Sequence, residues 1–129
     1  MIRSVIAVLF ISLFISSCDM GEPKGYTIIS VNDAYELVKS NDTNTVFLDV
    51  RSPSEYQSGH VPNAKLIPVQ KLSSRLNEVP KDKNIVVYCE AGVRAAKAAD
   101  ILVEAGFTNV QSMKASMRGW RSAGYPLNK

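Results

Sequence analysis

Short apolar runs alternate with longer amphipathic segments along most of the chain. Runs rich in β-branched and aromatic residues predict buried strands, at 26–29, 45–48, 65–68, 85–88 and 107–113. Segments in which apolar residues recur every three or four positions predict helices, at about 31–40, 53–56, 69–78, 93–106 and 115–123. Strands that alternate with helices indicate an α/β fold, with a parallel sheet covered by helices on both faces.

One stretch combines a strand, a tight loop and a helix. The apolar run Ile85–Tyr88 leads directly into Cys89, and helix formers follow Arg94. A cysteine at this point lies where backbone N–H groups and the positive end of a helix dipole converge. Such surroundings lower the pKa of a thiol and hold an anion beside it. Gly92 supplies the conformational freedom that a tight loop needs, and Arg94 adds a permanent anion donor.

The carboxyl ends of parallel strands are where α/β proteins bind their ligands. Cys89 follows one predicted strand, and Asp49 and Arg51 follow another. We expect Asp49 and Arg51 to brace the loop rather than to react. His60 is the single histidine, in a Gly-His-Val-Pro turn, and we interpret it as structural. Since no His/Cys cluster accompanies it, we expect no metal site.

The first residues have the pattern of an export signal. A basic start at Arg3 precedes the apolar run Val5–Ile15, which has signal-peptide length and is short of the roughly 20 residues of a spanning helix. Ile15-Ser16-Ser17-Cys18 resembles a bacterial lipobox, which implies cleavage before Cys18 and its acylation. We therefore predict a lipoprotein signal peptide at 1–17, a tether at 18–25 and the folded domain at 26–129. The alternatives are an ordinary secreted protein and an uncleaved anchor.

This pattern carries a prediction about location. Several acyl chains on Cys18 would fix the protein stably to a membrane. We expect an exported protein, lipid-anchored to the bacterial cell envelope on its periplasmic or extracytoplasmic side. Acylation of Cys18 would leave Cys89 as an unpaired thiol, which is unusual in an exported protein.

Composition sets the remaining limits. With 129 residues, 46% hydrophobic and 21% charged, the chain is an ordinary globular protein with one domain. The formal charge is +3, and Arg3 is the only charged residue before Cys18. This mild charge, without a basic stripe interleaved with aromatic residues, argues against nucleic acid as a partner.

The loop Cys89-Glu90-Ala91-Gly92-Val93-Arg94-Ala95 resembles the active-site loop of rhodanese-type sulfurtransferases. Further segments from about Thr27 to Leu127 resemble the family: Asp49-Val50-Arg51 with Glu55-Tyr56, Gly59-His60-Val61-Pro62-Asn63-Ala64, and Trp120 with Gly124-Tyr125-Pro126. The chain departs at Ala115-Ser116, where the family often carries Gly-Gly. The resemblance implies a single rhodanese-like domain, with a mostly parallel central sheet of about five strands and helices on both faces.

The resemblance also implies a chemistry. Cys89 would be the nucleophile that takes a sulfane sulfur from thiosulfate or a persulfide and passes it to cyanide or a thiol. A partner protein is a further candidate acceptor. The reaction is covalent and two-step and needs no metal or cofactor. The anionic substrate would be bound by the rest of the loop: Glu90, Ala91, Gly92, Val93 and Arg94.

Glu90 bears on the choice of donor. A carboxylate at the mouth of the loop would repel thiosulfate, which is a dianion. We therefore hypothesise that a thiol-derived persulfide is a better donor than thiosulfate.

Two other functions stay open. One is a membrane-tethered persulfide carrier or sensor that has no turnover of its own. The other is a thiol phosphatase or arsenate reductase, whose loops place cysteine and arginine in a C-x5-R spacing. Here four residues separate Cys89 from Arg94, and Ala95 occupies the position of the phosphatase arginine. The shorter loop encloses a smaller cradle, which favours sulfur over phosphate.

Overall fold

The computed structural model describes residues 25–129, so the predicted signal peptide, Cys18 and most of the predicted tether lie outside the described residues. Five strands are present: β1 (Thr27–Ile29), β2 (Thr45–Asp49), β3 (Lys65–Leu66), β4 (Asn84–Tyr88) and β5 (Val110–Met113). The helices are α1 (Val31–Lys39), α2 (Pro53–Ser58), α3 (Val69–Leu72), α4 (Val93–Glu104) and α5 (Ser116–Ser122), with a 3-10 helix at Leu76–Glu78. None of the helices in this part of the chain is long and apolar enough to cross a bilayer.

The strands form one sheet in the order β1-β5-β4-β2-β3, and every neighbouring pair is parallel. Successive residues of a strand face opposite sides of the sheet. In β4, Ile85 and Val87 join the apolar cluster that contains α3 and α4 residues, whereas Val86 and Tyr88 join the cluster that contains α1 and α5 residues. The predicted α/β fold, with a parallel five-stranded sheet and helices on both faces, is confirmed.

Local sequence explains where the helices begin. Ser30 caps α1, because its hydroxyl accepts a hydrogen bond from the Asp33 amide at 3.0 Å. Ser52 and Glu55 form a reciprocal capping box at the start of α2, and Pro53 occupies the first turn. The capping box places the Glu55 side chain at the end of the sheet where β2 and β4 terminate.

The helix predicted over 93–106 ends at Glu104, two residues before Gly106. Gly106 takes φ +93° just after the helix, and the Phe107 amide donates to the Leu102 carbonyl at 3.0 Å. This is the left-handed termination for which glycine is favoured. Because Phe107 belongs to that termination, the strand predicted over 107–113 begins only at Val110.

The continuous helix predicted over 69–78 is wrong. α3 ends at Leu72, and a separate 3-10 helix covers Leu76–Glu78. The Ser74 hydroxyl donates to the Lys71 carbonyl at 2.9 Å, and Arg75 adopts φ −125°. Serine side chains that bond to nearby backbone compete with the helical ladder, which accounts for the interruption.

Candidate active site

Cys89 lies directly after the central strand β4, under the loop that leads to α4. The residue is 1% exposed, and its Sγ accepts a hydrogen bond from the Gly92 amide at 3.0 Å. Gly92 has φ +106°, and a Cβ there would lie 2.4 Å from the carbonyl oxygen of Lys114. Glycine is therefore needed both for the turn of the loop and for its close approach to the backbone at Lys114, between β5 and α5.

The loop ends at the positive end of α4. The first hydrogen bond of this helix runs from the Ala96 amide to the Gly92 carbonyl at 3.0 Å. The four preceding amides, from Gly92 to Ala95, have no carbonyl partner within the helix. The Gly92 amide bonds the sulfur instead. Backbone donors and the helix dipole together favour negative charge at this point.

The start of α5 holds the loop from the opposite side. The Ser116 hydroxyl accepts a hydrogen bond from the Cys89 amide at 3.1 Å. The next two amides, of Met117 and Arg118, donate to the carbonyls of Cys89 and Glu90, each at 3.0 Å. Three consecutive residues of α5 thus fix three backbone groups around the cysteine.

Sequence reasoning missed this role of α5. The only signal was Ala115-Ser116, where a glycine pair was expected. Ser116 takes φ +52°, a left-handed conformation that favours glycine. The backbone path is therefore the one that a glycine would take, followed by a residue that carries a hydroxyl.

Arg94 is engaged by a carboxylate. Its Nη1 and Nη2 lie 2.7 and 2.9 Å from Oε1 and Oε2 of Glu55, a bidentate ion pair between α4 and α2. The hydrogen bond with Arg94 lowers the pKa of Glu55 to about 2, and the same bond raises the pKa of Arg94. Sequence reasoning recognised Glu55 as part of a motif but not as the partner of Arg94. Substrate binding by Arg94 stays a prediction.

Asp49 and Arg51 form a buried ion pair. Asp49 is 0% and Arg51 2% exposed, and Arg51 Nη2 lies 2.7 Å from Asp49 Oδ2 and 2.8 Å from the Gly59 carbonyl. Burial acts to lower the pKa of the Arg51 guanidinium, but the hydrogen bond and charge of Asp49 raise it, and the net shift is upward. Arg51 Nη1 also lies 3.6 Å from Glu90 Oε2. The pair therefore links the end of β2 to the loop, and its bracing role stays a prediction.

Glu90 does not stand alone at the mouth of the loop. Its carboxylate pairs with Arg121 of α5 as well as with Arg51, and its side chain is 31% exposed. The charge that the sequence places beside the thiol is thus flanked by two guanidinium groups. The involvement of Arg121 could not be predicted, because it lies 31 positions further along the chain.

His60 and Trp120 have structural contacts. The His60 ring stacks on Tyr56 at a centroid distance of 3.7 Å, and its Nδ1 lies 2.9 Å from the Tyr56 carbonyl. Trp120 is 0% exposed, and its Nε1 donates to the Pro126 carbonyl at 2.9 Å. Between residues 25 and 129 no three His, Cys, Asp or Glu side chains come together in a way that could hold a metal ion.

A partly apolar groove lies beside the loop, on the side of β1 and β5. Its volume is about 450 Å³, and Val93 is 82% exposed at its edge. Of the predicted loop residues, Gly92 contacts the sulfur through its amide, and Ala91, Gly92 and Val93 line this groove. The groove is lined by Tyr26, Ile28, Ala91, Gly92, Val93, Ala96, Ser112 and Lys114.

Comparison with known proteins places this site in a family. Residues 30–123 match the rhodanese-like domain. A sulfurtransferase of Allochromatium vinosum is 33% identical over 67% of this chain and 81% of its own length. The thiosulfate sulfurtransferase GlpE of Coxiella burnetii is 35% identical over 75% of this chain and 89% of its own. The structure of a rhodanese-related protein from Thermoplasma volcanium superposes with a TM-score of 0.73 at 31% identity, over 80% of this chain and 98% of that one. The chain therefore belongs to the rhodanese-like domain family, and its relatives include proteins named as sulfurtransferases.

Proposed function

We propose that the protein is a rhodanese-type sulfurtransferase that carries a sulfane sulfur as a persulfide on Cys89. The observation that carries this proposal is the 3.0 Å hydrogen bond from the Gly92 amide to Cys89 Sγ at the start of α4. This arrangement offers a fixed backbone donor and the positive end of a helix to an anionic sulfur, and preorganised electrostatic stabilisation of this kind is usually the largest single contribution to catalysis.

The reaction has two steps. In the first, the Cys89 thiolate attacks the outer sulfur of the donor, the S–S bond of the donor breaks, and sulfite leaves if the donor is thiosulfate. The product is the Cys89 persulfide anion. In the second, an acceptor thiolate or cyanide attacks the outer sulfur and releases the Cys89 thiolate, which gives a new persulfide or thiocyanate. Electrons balance in both steps without an external oxidant or reductant.

The persulfide fits the burial of the cysteine. Cys89 is 1% exposed, which protects the thiol but restricts access to it. An S–S bond of about 2.05 Å extends the transferable sulfur beyond Sγ toward the mouth of the loop. The outer sulfur is then the atom that an acceptor meets, while the Gly92 amide stays bonded to Sγ at the start of α4.

Arg94 contributes positive charge rather than an unpaired donor. The hydrogen bond with Glu55 is the main cause that raises the pKa of Arg94. Arg94 lies in the first turn of α4, two residues after the amide that bonds the Cys89 sulfur. Because Glu55 already occupies Arg94 Nη1 and Nη2, a bulky anion such as a phosphate would have to compete with that carboxylate.

Mass spectrometry and turnover test the proposal together. We expect incubation with thiosulfate or a thiol-derived persulfide to add the mass of one sulfur atom to Cys89, and a free acceptor to remove it with multiple turnovers. A Cys89→Ser variant should form no adduct. An adduct that forms without turnover would favour the persulfide carrier or sensor. Hydrolysis of an aryl phosphate without any sulfur adduct would favour the phosphatase alternative.

We also propose that the protein acts at the cell envelope, exported and anchored through lipid on Cys18. Support for this comes from the lipobox-like sequence Ile15-Ser16-Ser17-Cys18 after an apolar run of signal-peptide length. At that location small thiols, cyanide and persulfide-accepting proteins would be the partners.

A further inference from the structure

Ser116 occupies a position where its backbone conformation favours a different residue. Its φ of +52° is left-handed, and a side chain with a Cβ is disfavoured there. The residue is also 0% exposed, and a buried hydroxyl needs hydrogen-bond partners to offset the loss of water. A serine held in this way suggests a role for its hydroxyl.

Two of the three partners of the hydroxyl belong to the nucleophile Cys89. Ser116 Oγ donates to the Met113 carbonyl at 2.7 Å and accepts from the Cys89 amide at 3.1 Å. It lies 3.9 Å from Cys89 Sγ, within the range of a weak hydrogen bond to sulfur. The hydroxyl therefore connects the end of β5 to the backbone and the side chain of Cys89.

We propose that Ser116 is a positioning residue for Cys89, which fixes the thiol against the Gly92 amide and provides a second polar hydrogen to its sulfur when that sulfur is anionic. The bond to the Cys89 amide sets the backbone from which Sγ projects. Because a hydroxyl rotates freely, its hydrogen turns from the Met113 carbonyl toward Sγ as negative charge develops. This role rests on the proposed use of Cys89 as a nucleophile.

The groups that face Sγ define what Ser116 adds. The Gly92 amide donates from the loop, and the Arg94 guanidinium on α4 is paired with Glu55. Ser116 approaches from α5. A glycine at position 116 would keep the backbone path, and with it the hydrogen bonds from the Met117 and Arg118 amides to the carbonyls of Cys89 and Glu90, but would supply no hydroxyl.

Two variants separate the hydroxyl from the backbone. Ser116→Gly removes the hydroxyl and relieves the positive φ, so the variant should fold. Ser116→Ala removes the hydroxyl and keeps the Cβ. Ser122→Ala, at an exposed serine of α5, is the matched control. Thermal unfolding of each variant shows that it is folded before its reactivity is compared.

Alkylation of Cys89 by iodoacetamide, measured from pH 5 to pH 10 on the full chain with a Cys18→Ser background, is the readout. We expect both Ser116 variants to be alkylated about three- to tenfold more slowly at neutral pH, the effect of losing one ordinary hydrogen bond. We also expect their pH profiles to move to higher pH, while the Ser122→Ala profile stays unchanged.

Two results would overturn the proposal. One is a Ser116→Gly profile and rate within twofold of the parent protein. The other is a loss that is much larger in Ser116→Ala than in Ser116→Gly, because both variants lack the same hydroxyl and the difference would come from a strained Cβ that no hydrogen bond holds in place. Alkylation needs no sulfur donor, so these outcomes are independent of whether the protein transfers sulfur. The transfer assay on the same variants then reports separately on the proposed function.

Discussion

Gly92 serves two needs of the site with one residue. Its amide donates to Cys89 Sγ at 3.0 Å. Its α-carbon lies so close to the backbone between β5 and α5 that a Cβ would be 2.4 Å from the Lys114 carbonyl oxygen. A backbone oxygen cannot move aside as the end of a flexible side chain can. Any larger residue must therefore shift the loop, and with it the amide that faces the sulfur.

A pair of glycine variants measures this effect. Gly92→Ala should lower the free energy of unfolding by about 2–4 kcal/mol, because the strain of positive φ adds to a backbone clash. Gly124 also has positive φ, at +73°, but a Cβ at this position would meet no atom within 4 Å. Gly124→Ala should lose only about 1–2 kcal/mol, the cost of the left-handed conformation. Urea denaturation gives the free energy of unfolding of both variants. Equal decreases in the two variants would contradict the prediction, because they would show that the contact with the Lys114 carbonyl costs nothing.

The negative charge of Glu90 is expected to influence which sulfur donor the protein uses. It pairs with Arg51 and Arg121, so its removal leaves both guanidinium groups less neutralised at the mouth of the loop. We expect Glu90→Gln to raise kcat/KM for thiosulfate several-fold and to change transfer from a monoanionic persulfide less. Steady-state kinetics with both donors test this, with Glu104→Gln at the exposed end of α4 as the control. Unchanged thiosulfate kinetics would remove charge repulsion as the reason for donor preference.

At the scale of elements, the ion pair between Glu55 and Arg94 joins two helices that begin at the same end of the sheet. The capping box fixes Glu55 in the first turn of α2, and Arg94 lies in the first turn of α4. The pair therefore ties the loop after β2 to the loop after β4. Its strength depends on pH through the carboxylate.

The direction of that dependence follows from the pKa of Glu55. The hydrogen bond with Arg94 lowers this pKa from 4.5 to about 2, so the stabilisation is complete above about pH 4.5 and is lost as the pH falls toward 2. We expect Glu55→Gln to have a melting temperature that falls less between pH 5 and pH 2 than that of the parent. Thermal unfolding across this range checks it, with Glu104→Gln as the matched control. Parallel curves for parent and Glu55→Gln would contradict the lowered pKa.

What could be predicted depends on how far apart in sequence the contributing residues lie. The strand, the cysteine, the glycine and the helix start at Ile85–Ala95 are contiguous, so their order alone indicated the loop. The partners of that loop are not contiguous: Glu55 lies 39 positions before Arg94, and Ser116 lies 27 positions after Cys89. Those contacts arise from the packing of α2 and α5 on the sheet, which no local pattern specifies.

Secondary structure failed where local side-chain bonding competes with periodicity. The apolar spacing of Leu72, Leu76 and Val79 predicted one helix, but Ser74 bonds the Lys71 carbonyl and the helix ends. The late start of β5 has a similar origin, since Phe107 completes the termination of α4. The first error lies inside a predicted helix and the second at the start of a strand, and neither is in the segment from β4 to α4 that carries Cys89.

At the scale of the whole molecule, the order of strands explains why the site forms where it does. β4 is the middle strand, with β5 on one side and β2 on the other. The segments that follow these three strands therefore meet at one end of the sheet. They supply Cys89 and its loop, the start of α5 with Ser116, and the ion pair of Asp49 and Arg51.

The proposed attachment of the whole chain is tested by its lipid. We expect the full-length protein expressed in bacteria to incorporate a fatty-acid label and Cys18→Ser to incorporate none, because acylation needs the thiol of that cysteine. Cys89→Ser is the matched control and should be labelled like the parent. Labelling is read by gel after metabolic incorporation of an alkynyl fatty acid. Equal labelling of parent and Cys18→Ser, or none in either, would contradict a lipoprotein.

The first described residue, Gly25, packs against the last turn of α4, where a Cβ would lie 2.5 Å from Val103 Cγ1. Cys89 lies at the other end of this 12-residue helix, whose length is about 18 Å. If lipid on Cys18 anchors the chain to a bilayer, the attachment would enter the domain near the C-terminal end of α4. Cys89, at the N-terminal end of that helix, would then lie on the side of the domain away from the membrane. Sulfur acceptors would then reach Cys89 from the aqueous side, without having to enter the space between the domain and the membrane.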